Sequence, residues 1–343
     1  MTRRNLTIIR DLLLGSLAVA VVLAVGSGVA LAAEVKLVCA HDQPVTGTSE
    51  PMWQYFKREV EKRSQGRIEV QVIGQALLGD VPQLIDNMAI GTVDCTIVGG
   101  SSAGPFIPPY SIAAVPYLVE SLEHRALLTD VDRPFFKAVA KLTKKYLNAH
   151  AMGTGTSSRR SIYNSKRPIT HPDDLKGLKL RTMQSKVQVE SWKALGAAAT
   201  ALAFAEVYAG LQAGVIDGAE NSPMFLWNMR HYEAIKYYSL TNHLMNTNIN
   251  MLSDSAYQRI PEDLRDMVMQ AGKEAGDVSK KWDLESDADF MKKILDAGVI
   301  VNEVDTAPFV ALIRPLHDKM AEELGPEAVE LVRIIREEAK NVK

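Results

Sequence analysis

From residue 35 onward, apolar positions follow two alternating rhythms. Val35–Ala40 is a short, largely apolar run and reads as a buried strand. Thr48 or Ser49 can cap a helix with Pro51 in its first turn. Trp53, Phe56 and Val60 then share one face, and Gly66 ends the element. In Arg67–Ile73 the period drops to two, with Ile68, Val70 and Val72 on one side. Val81, Leu84, Ile85, Met88 and Ala89 make the next helical stripe, stopped by Gly91, and Val93–Val98 is another strand. The order β-α-β-α-β predicts a parallel sheet covered by helices. Ligands of such sheets bind outside the carboxyl ends of the strands.

The second half repeats this grammar. Strands are expected at Leu178–Thr182, Ala198–Leu202, Val215–Gly218 and Val299–Val304. Helices are expected at Val187–Leu195, Phe204–Gln212, Met224–His231, from Pro261 to about Ala297, and twice more before the end. No low-complexity linker or short-period repeat separates the halves. The pattern therefore predicts an α/β protein of two lobes, each a mostly parallel sheet flanked by helices, with the chain crossing between them more than once. A length of 343 residues agrees with two domains.

The first 32 residues follow a different pattern. Arg3, Arg4 and Arg10 precede an uncharged run from Leu12 to Ala33, and Ala30-Leu31-Ala32 supplies the small residues of a cleavage site. This is the layout of a signal peptide cleaved near Ala32. Thr2–Leu6 has a partial twin-arginine character, which leaves the Sec and twin-arginine routes both open. An uncleaved anchor is the other reading, because the uncharged run is long enough to span a bilayer. The expected compartment is the periplasm.

Composition narrows the chemistry. A net charge of −2 gives nothing to pull the chain onto nucleic acid. Two cysteines cannot build a disulfide framework or a four-thiolate metal site. Cys39 and Cys95 fall in strands expected to be sheet neighbours; buried thiols and a disulfide are the two readings. The seven histidines show no metal-ligand spacing, and no cofactor motif is present. Gly100-Ser101-Ser102-Ala103-Gly104 matches G-x-S-x-G, but Pro105, Pro108 and Pro109 forbid the helix that a nucleophile elbow requires. No catalytic residue is assigned.

What remains is binding chemistry. Arg181 ends an expected strand, where a sheet presents side chains to a cleft, and Lys179 shares its face. Arginine suits a carboxylate because its planar fork makes two parallel charge-assisted bonds. Arg160 lies in an irregular Gly/Ser/Thr-rich stretch, and Asn221 follows a short strand. The glycine-rich loop 99–104, with Ser101 and Ser102, follows the third strand at the crevice of the sheet. His41, at the end of the first strand, should border the same crevice.

At this point the residues resemble a family. Asp174–Arg181 (D-L-K-G-L-K-L-R), Phe204–Tyr208 (F-A-E-V-Y) and Leu211–Asn221 (L-Q-A-G-V-I-D-G-A-E-N) are similar to segments of TRAP transporter solute-binding proteins. These are the periplasmic components of tripartite ATP-independent transporters of the C4-dicarboxylate (DctP) type. Asn164–Ile169, Thr241–His243 and Leu78–Asp80 also fit, and the likeness runs from about residue 34 to the end. The resemblance implies a periplasmic-binding-protein-like fold that closes on its ligand like a hinge, without a catalytic step. It implies lobe I as 34–157 plus about 247–286, and lobe II as 158–246 plus about 287–343. It implies a small and a large integral membrane subunit as partners. It places the carboxylate-gripping arginine at Arg181, a second arginine at Arg160, the ligand asparagine at Asn221 and the pocket aromatic at Phe204. Sialic-acid-binding members carry a glutamate where this chain has Gly99-Gly100, which points to a smaller organic acid. A C4-dicarboxylate, a 2-oxo acid, a sugar acid and an aromatic acid all carry the same handle. Two rival readings are an exported α/β hydrolase and a binding protein serving an ATP-driven importer or a sensor.

Overall fold

The computed structural model describes residues 33–156 and 159–342. The expected signal peptide, residues 1–32, lies outside them. Among the described residues, no helix is long and apolar enough to cross a membrane. The strands, in chain order, are β1 (Val35–Ala40), β2 (Ile68–Ile73), β3 (Cys95–Gly99), β4 (Ala149–Thr156), β5 (Arg160–Asn164), β6 (Lys179–Thr182), β7 (Ala198–Ala201), β8 (Gly218–Asn221), β9 (Tyr237–Leu244), β10 (Thr247–Ser253) and β11 (Ile300–Glu303). They form two sheets, ordered β2-β1-β3-β10-β4 and β11-β9-β5-β8-β6-β7. Helices flank each sheet, giving two lobes.

In the first sheet β1 is parallel to β2 and β3, as the β-α-β-α-β pattern predicts, and β10 runs antiparallel between β3 and β4. In the second, β7, β6 and β8 are parallel, while β5 is antiparallel to both β8 and β9. The chain passes between sheets from β4 to β5, returns from β9 to β10, and crosses again along the helix Glu262–Asp296 before β11.

The antiparallel strands carry no clear apolar alternation and are absent from the sequence reading. Every residue of β10 is buried although its sequence is TNINMLS. The buried Asn250 donates from its Nδ2 to Gly272 O at 2.7 Å, which ties β10 to the helix Glu262–Asp296. Two further elements differ. Arg160 opens β5 rather than lying in irregular chain. The strand expected at Val215–Gly218 starts only at Gly218. The preceding segment is a turn with Gly214 at φ +67°, closed by Ile216 N–H donating to Gly210 O, and it leaves Val215 exposed.

The apolar faces pack as their spacing requires. Trp53, Phe56 and Val60 meet Leu37, Val70 and Val268 on one face of the first sheet. The closing helices, Ala307–Leu324 and Pro326–Ala339, bring Phe135 and Val139 into one apolar cluster with Ile162, Leu180 and Trp192. They therefore brace elements of both sheets. Cys39 and Cys95 are register partners on β1 and β3, and both are buried free thiols.

The 35-residue helix Glu262–Asp296 is about 52 Å long at 1.5 Å per residue, enough to run along both lobes. It approaches β4 through Gly272 and Gly276. A Cβ on Gly276 would lie 2.3 Å from the carbonyl oxygen of Thr154, a backbone atom that cannot yield. Gly→Ala inside a helix normally gains about 1 kcal/mol. Here overpacking of about 1–3 kcal/mol outweighs that gain. Gly276→Ala is expected to lower the urea unfolding midpoint, whereas a rise would mean the helix is not seated on β4.

Candidate functional site

The two sheets face each other with their functional ends together. β1 ends at Ala40, shortly before Asp42 and Gln43, and β3 ends at Gly99, shortly before Ser101 and Ser102; the antiparallel β10 starts beside them, with Asn248 paired to Gly99. In the second sheet β6 ends at Thr182, with Arg181 just before its end and Met183 and Gln184 just after it, and β8 ends at Asn221. Because β5 is antiparallel to β8, Arg160 at its start lies next to Asn221 at the end of β8. These segments line one cleft of about 970 Å³, including its open mouth. Arg160, Arg181, Phe204, Asn221, Ser101 and Ser102 all line it.

Arg181 is buried, and its Nε donates to Leu202 O at 2.8 Å. Its two Nη groups have no hydrogen-bond or carboxylate partner among the described residues. Burial pushes it down to about 10, so it keeps its charge at any physiological pH. Its guanidinium carbon stands 5.9 Å from the centre of the Phe204 ring, within cation–π range. Phe204 is fixed edge-on against Phe225 at 5.6 Å. Nearby His231 shares a 2.8 Å hydrogen bond with Tyr163 Oη. Burial first, and then the charge of Arg181, push His231 down to about 3, so it stays neutral.

Arg160 is bound on nearly every side. Its Nε donates to Glu220 Oε2 at 2.6 Å, and Nη2 donates to Glu220 Oε1 and to the Glu220 carbonyl, both at 2.8 Å. Nη1 donates to Asn221 Oδ1 at 2.6 Å. Of its five N–H groups, one on Nη1 remains for the cleft. His243 Nε2 reaches Glu220 Oε2 at 3.2 Å, with Thr241 Oγ1 on its other ring nitrogen at 2.9 Å. Burial alone would raise the Glu220 carboxyl, but Arg160 and His243 outweigh it and hold it at about 2. The buried pair is therefore ionised, and Arg160 is raised by Glu220 against the effect of its own burial.

The glycine-rich loop is already internally bonded. Ser101 Oγ donates to Asn246 Oδ1, tying the loop to the β9–β10 crossing, and Ser102 Oγ donates to Gly99 O at 3.2 Å. A Cβ on Gly99 would stand 2.4 Å from Asn248 Oδ1, so any side chain there would displace the Asn248 amide that lines the cleft. Lys179 does not join Arg181 in the cleft, since its exposed side chain reaches Gly214 O.

His41 is not among the lining residues. Its ring is buried beneath the cleft wall, with Nε2 2.8 Å from Glu50 Oε2, and it occupies the space above Gly74. The chain bends at Asp42 and Gln43, and these residues line the cleft instead. Asp42, Asp80, Asn246 and Asn248 were not singled out from sequence. Asp80 carried a signal as the last residue of the Leu78–Asp80 motif and as the N-cap of the helix Val81–Ala89.

A sequence model of the family described as bacterial extracellular solute-binding protein, family 7 (DctP), matches residues 40–324. A solute-binding protein of Chromohalobacter salexigens is 33% identical over 285 residues, covering 82% of this chain and 83% of that protein. A crystal structure of a TRAP periplasmic solute-binding protein from that species, with bound D-glucuronate, superposes with a TM-score of 0.84 at 30% identity. The match covers 88% of this chain and 99% of the other. A second, from Sulfitobacter sp. NAS-14.1 with bound β-D-galacturonate, gives a TM-score of 0.83 at 30% identity over the same shares. Fold, cleft and sequence thus agree: the chain belongs to family 7 of the bacterial extracellular solute-binding proteins, the DctP-type solute-binding components of TRAP transporters.

Proposed function

We propose that this protein captures a sugar acid of the uronate class in the periplasm and delivers it to the small and large membrane subunits of a TRAP permease. The observation that carries the ligand chemistry is Arg181. A buried guanidinium whose Nη groups have no partner creates a demand for an anion, and a carboxylate meets it with two parallel bonds. Asn221 and the remaining N–H of Arg160 flank the same space, and Phe204 offers an apolar face for a sugar ring. Ser101 and Ser102 line the first-lobe side, with backbone groups of the loop available beside them.

Closure of lobe I (34–157 plus about 247–286) on lobe II (158–246 plus about 287–343) removes the anion from water. The bidentate arginine offsets that desolvation. Ligand binding favours the closed state because only there do both walls touch the solute. Export through the N-terminal segment, with cleavage near Ala32, places the protein where such solutes arrive. No bond is made or broken; the cleft binds and releases.

The test is a thermal-shift titration with D-galacturonate, D-glucuronate and neutral D-galactose. The uronates are expected to raise the melting temperature, by an amount equivalent to about 2.7 kcal/mol at one hundred times Kd. D-galactose, without the carboxylate, should leave it unmoved. An equal response to D-galactose, or none to either acid, refutes the reading.

A further inference from the structure

The cleft is electrically divided between its walls. Both arginines come from the second sheet. The wall from the first sheet carries two carboxylates, Asp42 and Asp80. Neither is neutralised by a cation in an ion pair among the described residues, and Arg181 is not their partner. Asp80 caps the helix Val81–Ala89, its own N–H donating to Gln83 Oε1 at 3.1 Å. Yet its Oδ1 is enclosed and accepts no hydrogen bond from the described residues. An enclosed carboxylate oxygen without a donor is expensive, so one that faces a ligand cleft marks the place of a donor brought by the ligand.

We propose that Asp42 and Asp80 form the subsite for the hydroxyl groups of the ligand, so that the cleft accepts polyhydroxylated monocarboxylates and rejects dicarboxylates. This rests on the reading that Arg181 takes the carboxylate. An ionised carboxylate only accepts hydrogen bonds, and sugar hydroxyls donate them. A second carboxylate on the ligand, placed at this end, would meet no cation among the described residues and would have two like charges against it. The pair already strains itself in this way. Burial, followed by the nearby Asp80, pushes Asp42 up to about 6. A ligand anion there would push it further, whereas hydroxyl donors favour the ionised form. Gln43 and Asn248 line the same wall and offer amide donors and acceptors for the remaining hydroxyls.

The test is calorimetry on the wild-type protein and on Asp42→Asn, Asp80→Asn and Arg181→Ala, with D-galacturonate, D-glucuronate and succinate as probes. Asn is as good an N-cap as Asp, so Asp80→Asn should fold normally, and the melting temperature of each variant checks this. Wild-type protein is expected to bind a uronate at least a hundredfold more tightly than succinate. Each Asp→Asn variant should lose about tenfold or more in uronate affinity, the scale of a hydrogen bond to a charged group. Neither should lose succinate affinity, so the preference narrows. Loss of binding in Arg181→Ala with unchanged uronate preference in both Asp variants overturns this subsite alone. Uronate binding that survives Arg181→Ala overturns the carboxylate reading on which it rests. Wild-type protein that binds succinate as tightly as the uronates, or binds none of the three, overturns the proposed selection.

Discussion

Arg181→Met should nearly abolish ligand binding and yet leave the ligand-free protein at least as stable as wild type. The two effects separate because Arg181 is buried without a counter-charge: its Nε bonds only Leu202 O, and burial lowers it to about 10. Desolvating a cation without a partner opposes folding. Methionine keeps most of the apolar contact with Phe204 and removes that penalty. In the proposed complex the balance reverses, because the ligand carboxylate would enter the closed cleft without the bidentate cation that offsets its desolvation. The expected loss is about 2–5 kcal/mol of binding, roughly 30- to several thousandfold in Kd. Arg181→Lys should also bind poorly, since a point charge cannot present the fork. Calorimetry with D-galacturonate and a urea melt of each variant measure both quantities. A variant that binds within tenfold of wild type, or one that is clearly destabilised, contradicts this account of the site.

Glu220→Gln should have the opposite signature, a large loss of stability. Arg160 relies on Glu220 for three of its four hydrogen bonds, and both side chains are buried. Removing one charge leaves the other desolvated and uncompensated, which costs about 3–5 kcal/mol. The bond to the Glu220 carbonyl survives, so the damage is mainly electrostatic. The same pair sets an acid limit. Glu220 is held at about 2 in the folded state against an ordinary value of 4.5. A group with a lowered folded pKa contributes its full stability above its unfolded value and loses it as pH falls toward its folded value. The contribution of Glu220 is therefore complete above pH 4.5 and drains away between 4.5 and 2. Urea melts across that window should show wild type falling toward Glu220→Gln as pH drops. Parallel pH profiles for the two proteins would mean Glu220 is not ionised in the fold. Asp42 acts in the other sense: its raised folded value of about 6 makes its burial a growing burden as pH rises from 3.8 through 6.

These two arginines show how far local pattern reaches. Sequence pattern puts Arg181 at a strand end and Arg160 in irregular chain, yet the family resemblance sends both to the ligand. The fold gives them different roles. Arg160 is paired with Glu220, sixty residues away, through the antiparallel register that sets Ser161 beside Asn221. Arg181, on a strand parallel to β8, is left with its fork open.

The sequence by itself determined the β-α-β-α-β start, the positions of most helices, the neighbouring of Cys39 and Cys95, and the strand-end location of Arg181. Each of these follows from periodicity, turn residues or short motifs, which act within a few residues along the chain. Only the tertiary structure decided the antiparallel strands β5 and β10, whose buried polar residues give no alternation. It also decided that Asp42 rather than His41 reaches the cleft, and that Asp42 and Asp80 meet there. Desolvation and ion pairing depend on which distant segments close around a group. That enclosure is created by the assembly of two sheets, and no local pattern encodes it.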